Sequence, residues 1–288
     1  MADQRRDLRL YGAYVAWMRK NEWAIDSPLR IVERVLQPQH RLVSRQRFLT
    51  EVLDLRAIRP SRALADYERE LIADVPLRQR YDRAINDGTI PRKFASFDDN
   101  VLRREANVVA YYALLRETAP SIVVETGTAV GWMTSWIVAA LEANGHGRLI
   151  SIDLPAVKGE RTMQRTLSGD EIGALIPDAY RHRWTLLAGD AKVLVPRVLS
   201  ENSVDVFCHD SLHTRTHMGF EYHAARCLMK PEALIVSDDI MMNSAFLDFV
   251  RTHHLPSVAC VANPNIGITV NRFDQFELEI GTDVVAAV

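Results

Sequence analysis

Apolar positions along the first third of the chain recur at helical spacing. Leu8, Leu10, Tyr11, Tyr14, Val15 and Met18 form one stripe, Phe48, Val52, Leu53 and Ile58 a second, and Leu64, Tyr67, Leu71 and Ile72 a third. Ser61 stands ahead of the third stripe as its expected N-cap, and Pro28, Pro38, Pro60 and Pro76 punctuate the series. The pattern predicts an all-helical segment over residues 1–100. Each of its helices is amphipathic and needs a partner surface. The expectation is therefore a lid over the rest of the molecule that also helps form a homo-oligomer.

Near residue 100 the rhythm changes to short apolar runs separated by helical stretches. A helix over 100–116 leads into strand 122–124, and a helix over 132–144 into strand 148–152. Strands 184–188 and 204–208 follow, then a helix over 218–229 and strand 233–236. Runs 257–262 and 267–271, split by Asn263-Pro264-Asn265, predict a terminal hairpin. Short apolar strands joined by helices make a parallel sheet covered on both faces, here ending in one antiparallel strand. The predicted division is a helical segment, 1–100, and an α/β domain, 101–288.

Composition removes several alternatives. Apolar residues make up 48% of the chain and charged residues 25%, an ordinary globular balance. No run approaches the roughly 18–20 apolar residues of a membrane span, and Met1–Gly12 lack the apolar core of a secretory signal. Cys208, Cys227 and Cys260 form no close pair, which fits a reducing cytoplasm. The first 105 residues carry about five net positive charges and the remainder about seven negative. Arginines in the basic part alternate with acids along helical stretches, so solvated helix faces are expected there and no nucleic-acid surface.

Candidate chemistry concentrates after the first strand, in Glu125-Thr126-Gly127-Thr128-Ala129-Val130-Gly131. Gly127 can take backbone angles closed to other residues and let a ligand approach the main chain. Gly131 permits close packing at a helix start whose free amides favour a polar group. Glu125 places a carboxylate suited to a ligand's ammonium. The spacing is not G-x-G-x-x-G, so a dinucleotide pyrophosphate is poorly matched. Asp153 ends the second strand, where it would take a ribose diol, and Asp190 ends the third, where it would reach an adenine amino group. Either acid alone is an ordinary helix cap. Three acids at three successive strand ends argue for one ligand crevice.

With these motifs in place, residues 105–272 resemble the class I S-adenosylmethionine (SAM)-dependent methyltransferases, a Rossmann-like fold. Glu125-Thr126-Gly127-Thr128 with Gly131 is similar to their first motif. Within that superfamily, His209-Asp210-Ser211-Leu212-His213 and Ser237-Asp238-Asp239-Ile240 resemble the macrocin O-methyltransferase and cephalosporin hydroxylase group of small-molecule enzymes. The resemblance implies SAM contacts from Glu125, Thr126, Gly127, Thr128, Gly131, Asp153, Leu154, Asp190, Ala191 and Asp210. It also implies a divalent cation, Mg²⁺ by ligand type, held by Asp210, Asp238 and Asp239. Ile240-Met241-Met242 departs from the group's polar continuation.

His213, three residues beyond Asp210, is the candidate general base, with an ordinary pKa near 6.5. His209, His217, His223 and the His253-His254 pair read as structural, and Tyr112, Trp132 and Trp136 as core or cofactor cover. The expected function is O-methylation of a small molecule, a sugar or hydroxyl of natural-product type. Metal-independent N- or C-methylation and a non-catalytic SAM-binding subunit are the alternatives. A nicotinamide dehydrogenase would need a Tyr-x-x-x-Lys pair, and a nucleic-acid methyltransferase an Asn-Pro-Pro-Tyr-like motif after the fourth strand. Neither is present.

Overall fold

The computed structural model describes residues 40–43, 45–90, 97, 102, 106–154, 171–260 and 266–273. The stripe at Leu8–Met18 lies outside these residues. Strands are β1 (His40–Val43), β2 (Ile122–Thr126), β3 (Arg148–Asp153), β4 (Trp184–Ala188), β5 (Val206–His209), β6 (Leu234–Ser237), β7 (Ser257–Cys260) and β8 (Ile266–Val270). Helices are α1 (Arg45–Asp54), α2 (Leu64–Ala73), α3 (Val75–Asn86), α4 (Ala106–Thr118), α5 (Trp132–Asn144), α6 (Ala191–Glu201), α7 (Arg215–Leu228) and α8 (Ala245–Thr252).

The strands form one sheet in the order β1-β7-β8-β6-β5-β2-β3-β4. Every neighbouring pair is parallel except those made by β8, which runs antiparallel to both β6 and β7. The chain winds outward from β2 through β3 to β4, then returns to place β5 on the other side of β2. That reversal opens a crevice beyond the carboxyl ends of β2 and β5. β2 is built for the centre: Val123, Val124, Glu125 and Thr126 are all buried, and the β-branched residues among them suit a strand covered on both faces.

Three expectations are corrected here. The antiparallel strand does not end the sheet. All five residues of β8 are buried, and a strand with that much covered surface belongs inside, so β8 inserts between β6 and β7. The segment before residue 100 is also not wholly helical, because His40–Val43 pairs with β7 and takes the outer edge. Ser61 is not the N-cap of α2; Ala63 is, with its N–H bonded to Asp66, while Ser61 donates its N–H and Oγ to Glu117.

Side chains alternate across the sheet. Val123 and Val206 join a core with α1–α5, and their neighbours Val124 and Phe207 join a second core with α6–α8. The early helices thus find their partner surface on the first face of the sheet. There Tyr81 packs edge-on against Phe97 and Trp132 and tilted against Trp136, and its hydroxyl meets Ser135 Oγ at 2.7 Å. Tyr112 and Trp136 are core residues, as expected. Among the described residues, no helix is long and apolar enough to cross a membrane, and Cys208 and Cys227 are free thiols.

Candidate active site at the carboxyl ends of the strands

Gly127 sits at φ +83, just past the end of β2, and a Cβ there would collide with the main-chain carbonyl of Asp210. The glycine is demanded by that crossing of backbones and takes the left-handed backbone angles expected of it. Gly131, at φ +88, caps α5. Its Cβ would meet the Cα of Gly173 at 3.0 Å. Gly173 and Leu175 donate their N–H groups to the carbonyls of Ala129 (2.9 Å) and Val130 (2.8 Å), so the 171–176 segment lies against the loop.

Glu125 is wholly buried. Its Oε2 accepts from Thr134 Oγ1 and Ser151 Oγ, both at 2.8 Å, while Oε1 has no hydrogen-bond partner among the described residues. Burial pushes its carboxyl up to about 7. Thr128 Oγ1 is likewise buried and has no partner among the described residues. Two orphaned polar atoms on either side of Gly127 fit a ligand that brings polar groups of its own.

The other predicted cofactor residues divide. Asp153 Oδ2 accepts from the N–H groups of Thr128 (2.8 Å) and Ala129 (2.7 Å), so it orders the loop at the place expected of a ribose ligand. Asp190 caps α6, accepting from Lys192 N–H at 2.8 Å, with Ala191 opening the helix. Thr126 turns away from the crevice, its Oγ1 donating to buried Glu221. Leu154 is 62% exposed and Val193 68%. Large apolar side chains exposed beside the ends of β3 and β4 suit a flat apolar ring laid over them.

Across the crossing, one ligand atom each of Asp210, His213 and Asp238 lies within 4.8 Å of the others. Register explains the meeting: Thr126 pairs with His209 and His209 with Ser237, so Asp210 and Asp238 leave adjacent strands side by side. Burial and the charge of Asp238 hold the Asp210 carboxyl well above the usual carboxylate range. His213 Nε2 lies 3.9 Å from Asp210 Oδ1. Burial, then the neighbouring His209, pushes His213 down to about 4, which corrects its expected ordinary pKa. At neutral pH it is an uncharged imidazole and a weak base. Asp239 is not one of the three; its backbone sits at φ +47 and its carbonyl accepts from Met242 N–H.

Glu221 was not among the sequence candidates. It is buried on α7 and accepts from Thr126, His209, Ser211 and His217. The sequence signal was slight: His217 and Glu221 are four apart on a helix, a spacing shared by many surface pairs. His223 and His253 pack on each other and on Phe249, as structural histidines do.

Residues 124–240 match the model of a family described as a methyltransferase domain. No curated protein matches the chain. Among solved structures, an O-methyltransferase from Bacillus cereus in complex with S-adenosylhomocysteine has a TM-score of 0.45 at 14% identity, over 72% of this chain and 97% of that one. The O-methyltransferase TomG from Streptomyces achromogenes, involved in tomaymycin synthesis, gives 0.44 at 15%, over 80% and 98%. A methyltransferase from Geobacter sulfurreducens gives 0.47 at 14%, over 72% and 96%. The family match covers the cofactor loop, Asp153, Asp190 and the Asp210 and Asp238 strand ends, and the chain therefore carries a class I SAM-dependent methyltransferase domain.

Proposed function

We propose that the protein methylates a hydroxyl group of a small molecule, of sugar or natural-product type, with a divalent cation held by Asp210, His213 and Asp238. The observation that carries this reading is the convergence of those three side chains directly across the Gly127–Asp210 crossing from the cofactor loop. SAM supplies an electrophilic methyl group, so the protein's task is alignment of the acceptor. Asp153 would hold the ribose, and Leu154, Asp190 and Ala191 the adenine. Thr128 and the free oxygen of Glu125 would face the amino-acid end.

The donor set fits a cation. Two carboxylates so close repel unless a proton or a cation neutralises them, which is what the raised Asp210 carboxyl reflects. A neutral imidazole completes a mixed nitrogen and oxygen set that favours Mn²⁺ or a similar ion over Mg²⁺ alone. A cation bound there would supply Lewis acidity toward an acceptor hydroxyl. His213 then serves better as ligand than as base. The segment before residue 100 is assigned the cover of the acceptor and a homo-oligomer surface. A cavity of about 200 Å³ lies between Asp87, Gly88 and Thr89 beyond α3 and Val130, Glu171 and Ala174 at the cofactor loop, which places part of that segment beside the loop.

The test is turnover of SAM to S-adenosylhomocysteine with a panel of hydroxyl acceptors, before and after EDTA, with Mg²⁺ or Mn²⁺ restored. Product should vanish on chelation and return with the ion, and Asp210→Asn should stay silent throughout. A full rate in EDTA removes the metal from the reading. An absence of product with every acceptor would favour a SAM-binding subunit.

A further inference from the structure

Glu221 is a buried acid for which the proposed reaction has no use. Its Oε2 accepts from Thr126 Oγ1 at 2.7 Å and from His209 Nδ1 at 2.6 Å. Its Oε1 accepts from His217 Nε2 at 2.8 Å and from Ser211 Oγ at 3.0 Å. A carboxylate has about four lone-pair sites and no donor, so four donors fill it and both imidazoles must present N–H to it. Burial works against ionisation here, but the hydrogen bonds of His209 and His217 outweigh it and hold the carboxyl at about 2.

These partners are not scattered. Asp210 donates its N–H to the Thr126 carbonyl at 2.9 Å, and the Asp210 carbonyl lies where a Cβ of residue 127 would be. Thr126 immediately precedes Gly127, and His209 and Ser211 flank Asp210 on either side. Glu221 reaches over from α7 and grips the residues bordering the contact between the two halves of the crevice.

We infer that Glu221 is a positioning residue of the methyl-transfer site: it ties the end of β2 and its cofactor loop to the Asp210 segment, and it holds His209 as the Nδ1–H tautomer. The first half of this inference rests on the SAM reading above, and the tautomer rests on the carboxylate geometry alone. Ser211, His217 and Glu221 do not form a nucleophilic relay. Ser211 donates to the carboxylate itself, and His217 uses one nitrogen for both neighbours. With His209 Nδ1 committed, Nε2 is left buried and without a hydrogen-bond partner among the described residues, beside a ring contact with His213 at 5.2 Å between centroids. The grip therefore orients the ring that borders the proposed cation ligand.

The experiment uses the full chain, with SAM as the calorimetric probe and nitrogen-15 histidine spectra as the structural one, His209 being assigned by its loss in His209→Asn. Thr126→Val removes one donor at constant volume and should weaken SAM binding about fivefold, with Thr126→Ser restoring it. Glu221→Gln places an amide NH₂ against committed donors and should weaken binding by more than about tenfold, with loss of the protonated Nδ1 signal of His209. Should Glu221→Gln fail to fold, Thr126→Val and the wild-type spectrum still decide. A folded Thr126→Val chain that binds SAM within about twofold of wild type overturns the coupling, whatever its melting temperature does. A wild-type His209 with unprotonated Nδ1 overturns the clamp. Wild-type protein that binds no SAM would sink the function reading instead, and the spectrum would still judge the tautomer.

Discussion

On the cofactor half of the sheet edge, the acids that follow the apolar runs of β3 and β4 are answered by main chain, while Glu125 at the end of β2 is held by the hydroxyls of Thr134 and Ser151. Asp153 takes the N–H groups of Thr128 and Ala129, and Asp190 takes that of Lys192. On the half formed by the ends of β5 and β6, acids are answered by other side chains. Asp210 meets Asp238 and His213, and the segment around it hangs from Glu221. Main-chain amides are present whatever the side chain, so the first arrangement does not depend on the identity of the donor residues. The second depends on particular residues brought from a different strand and helix. It is also the half with repelling carboxylates, which is what a cation or substrate site requires and a purely structural one avoids.

The sharpest way to break this comparison is at the seam. Gly127→Ala puts a methyl group into the Asp210 carbonyl at a left-handed φ, and should destabilise the chain by about 4 kcal/mol or more. Gly145→Ala, at φ +73 with nothing within 4 Å of the new carbon, should lose only about 1 kcal/mol in the same urea titration. Equal losses at the two sites would mean the halves do not touch as described.

A second effect of intermediate size belongs to Glu125. Its folded carboxyl, at about 7, is raised by burial above its ordinary value of 4.5. Between those pH values the native state holds more proton than the unfolded one, so stability falls as pH rises through the window and levels off above it. Without SAM, wild type should lose up to about 3 kcal/mol relative to Glu125→Gln between pH 4.5 and 8, read by denaturant unfolding. A difference independent of pH would mean that Glu125 is ionised throughout.

The smallest effects sharpen the roles of the two acids held by main-chain amides. Asp153→Ala should cost about 1–3 kcal/mol of SAM affinity by calorimetry, since the carboxylate that orders the loop is also the one proposed to hold the ribose. Asp190→Ala should lower stability by about 1 kcal/mol as a lost cap, and Asp190→Asn should restore it. If Asp190→Asn nevertheless binds SAM more weakly, the carboxylate has an adenine role beyond the cap.

Much of the cofactor half was legible in the sequence because its signals are local. Helix α5 and strand β4 are bounded by the residues that the apolar periodicity indicates, and Asp153 and Asp190 stand at strand ends as read. A helix cap or a strand's alternation involves residues a few positions apart, so the linear pattern contains it. Long-range pairing left weaker marks. His40–Val43 is too short to show alternation against its helical surroundings, and only its pairing with β7 makes it a strand. Likewise β8 reads as one half of a hairpin, and its burial between β6 and β7 follows from which strands are neighbours.

The sequence by itself therefore determined the α/β class, the crevice at the carboxyl ends, and the acids that border it. Only the tertiary structure decided which side chains meet. The register of β2, β5 and β6 sets Asp210 beside Asp238, loop geometry brings in His213 in place of Asp239, and α7 delivers Glu221 to Thr126. The physical reason is that a buried carboxylate is satisfied by whatever donors lie within about 3 Å of it. That neighbourhood is fixed by strand order and packing, and spacing along the chain carries no record of it.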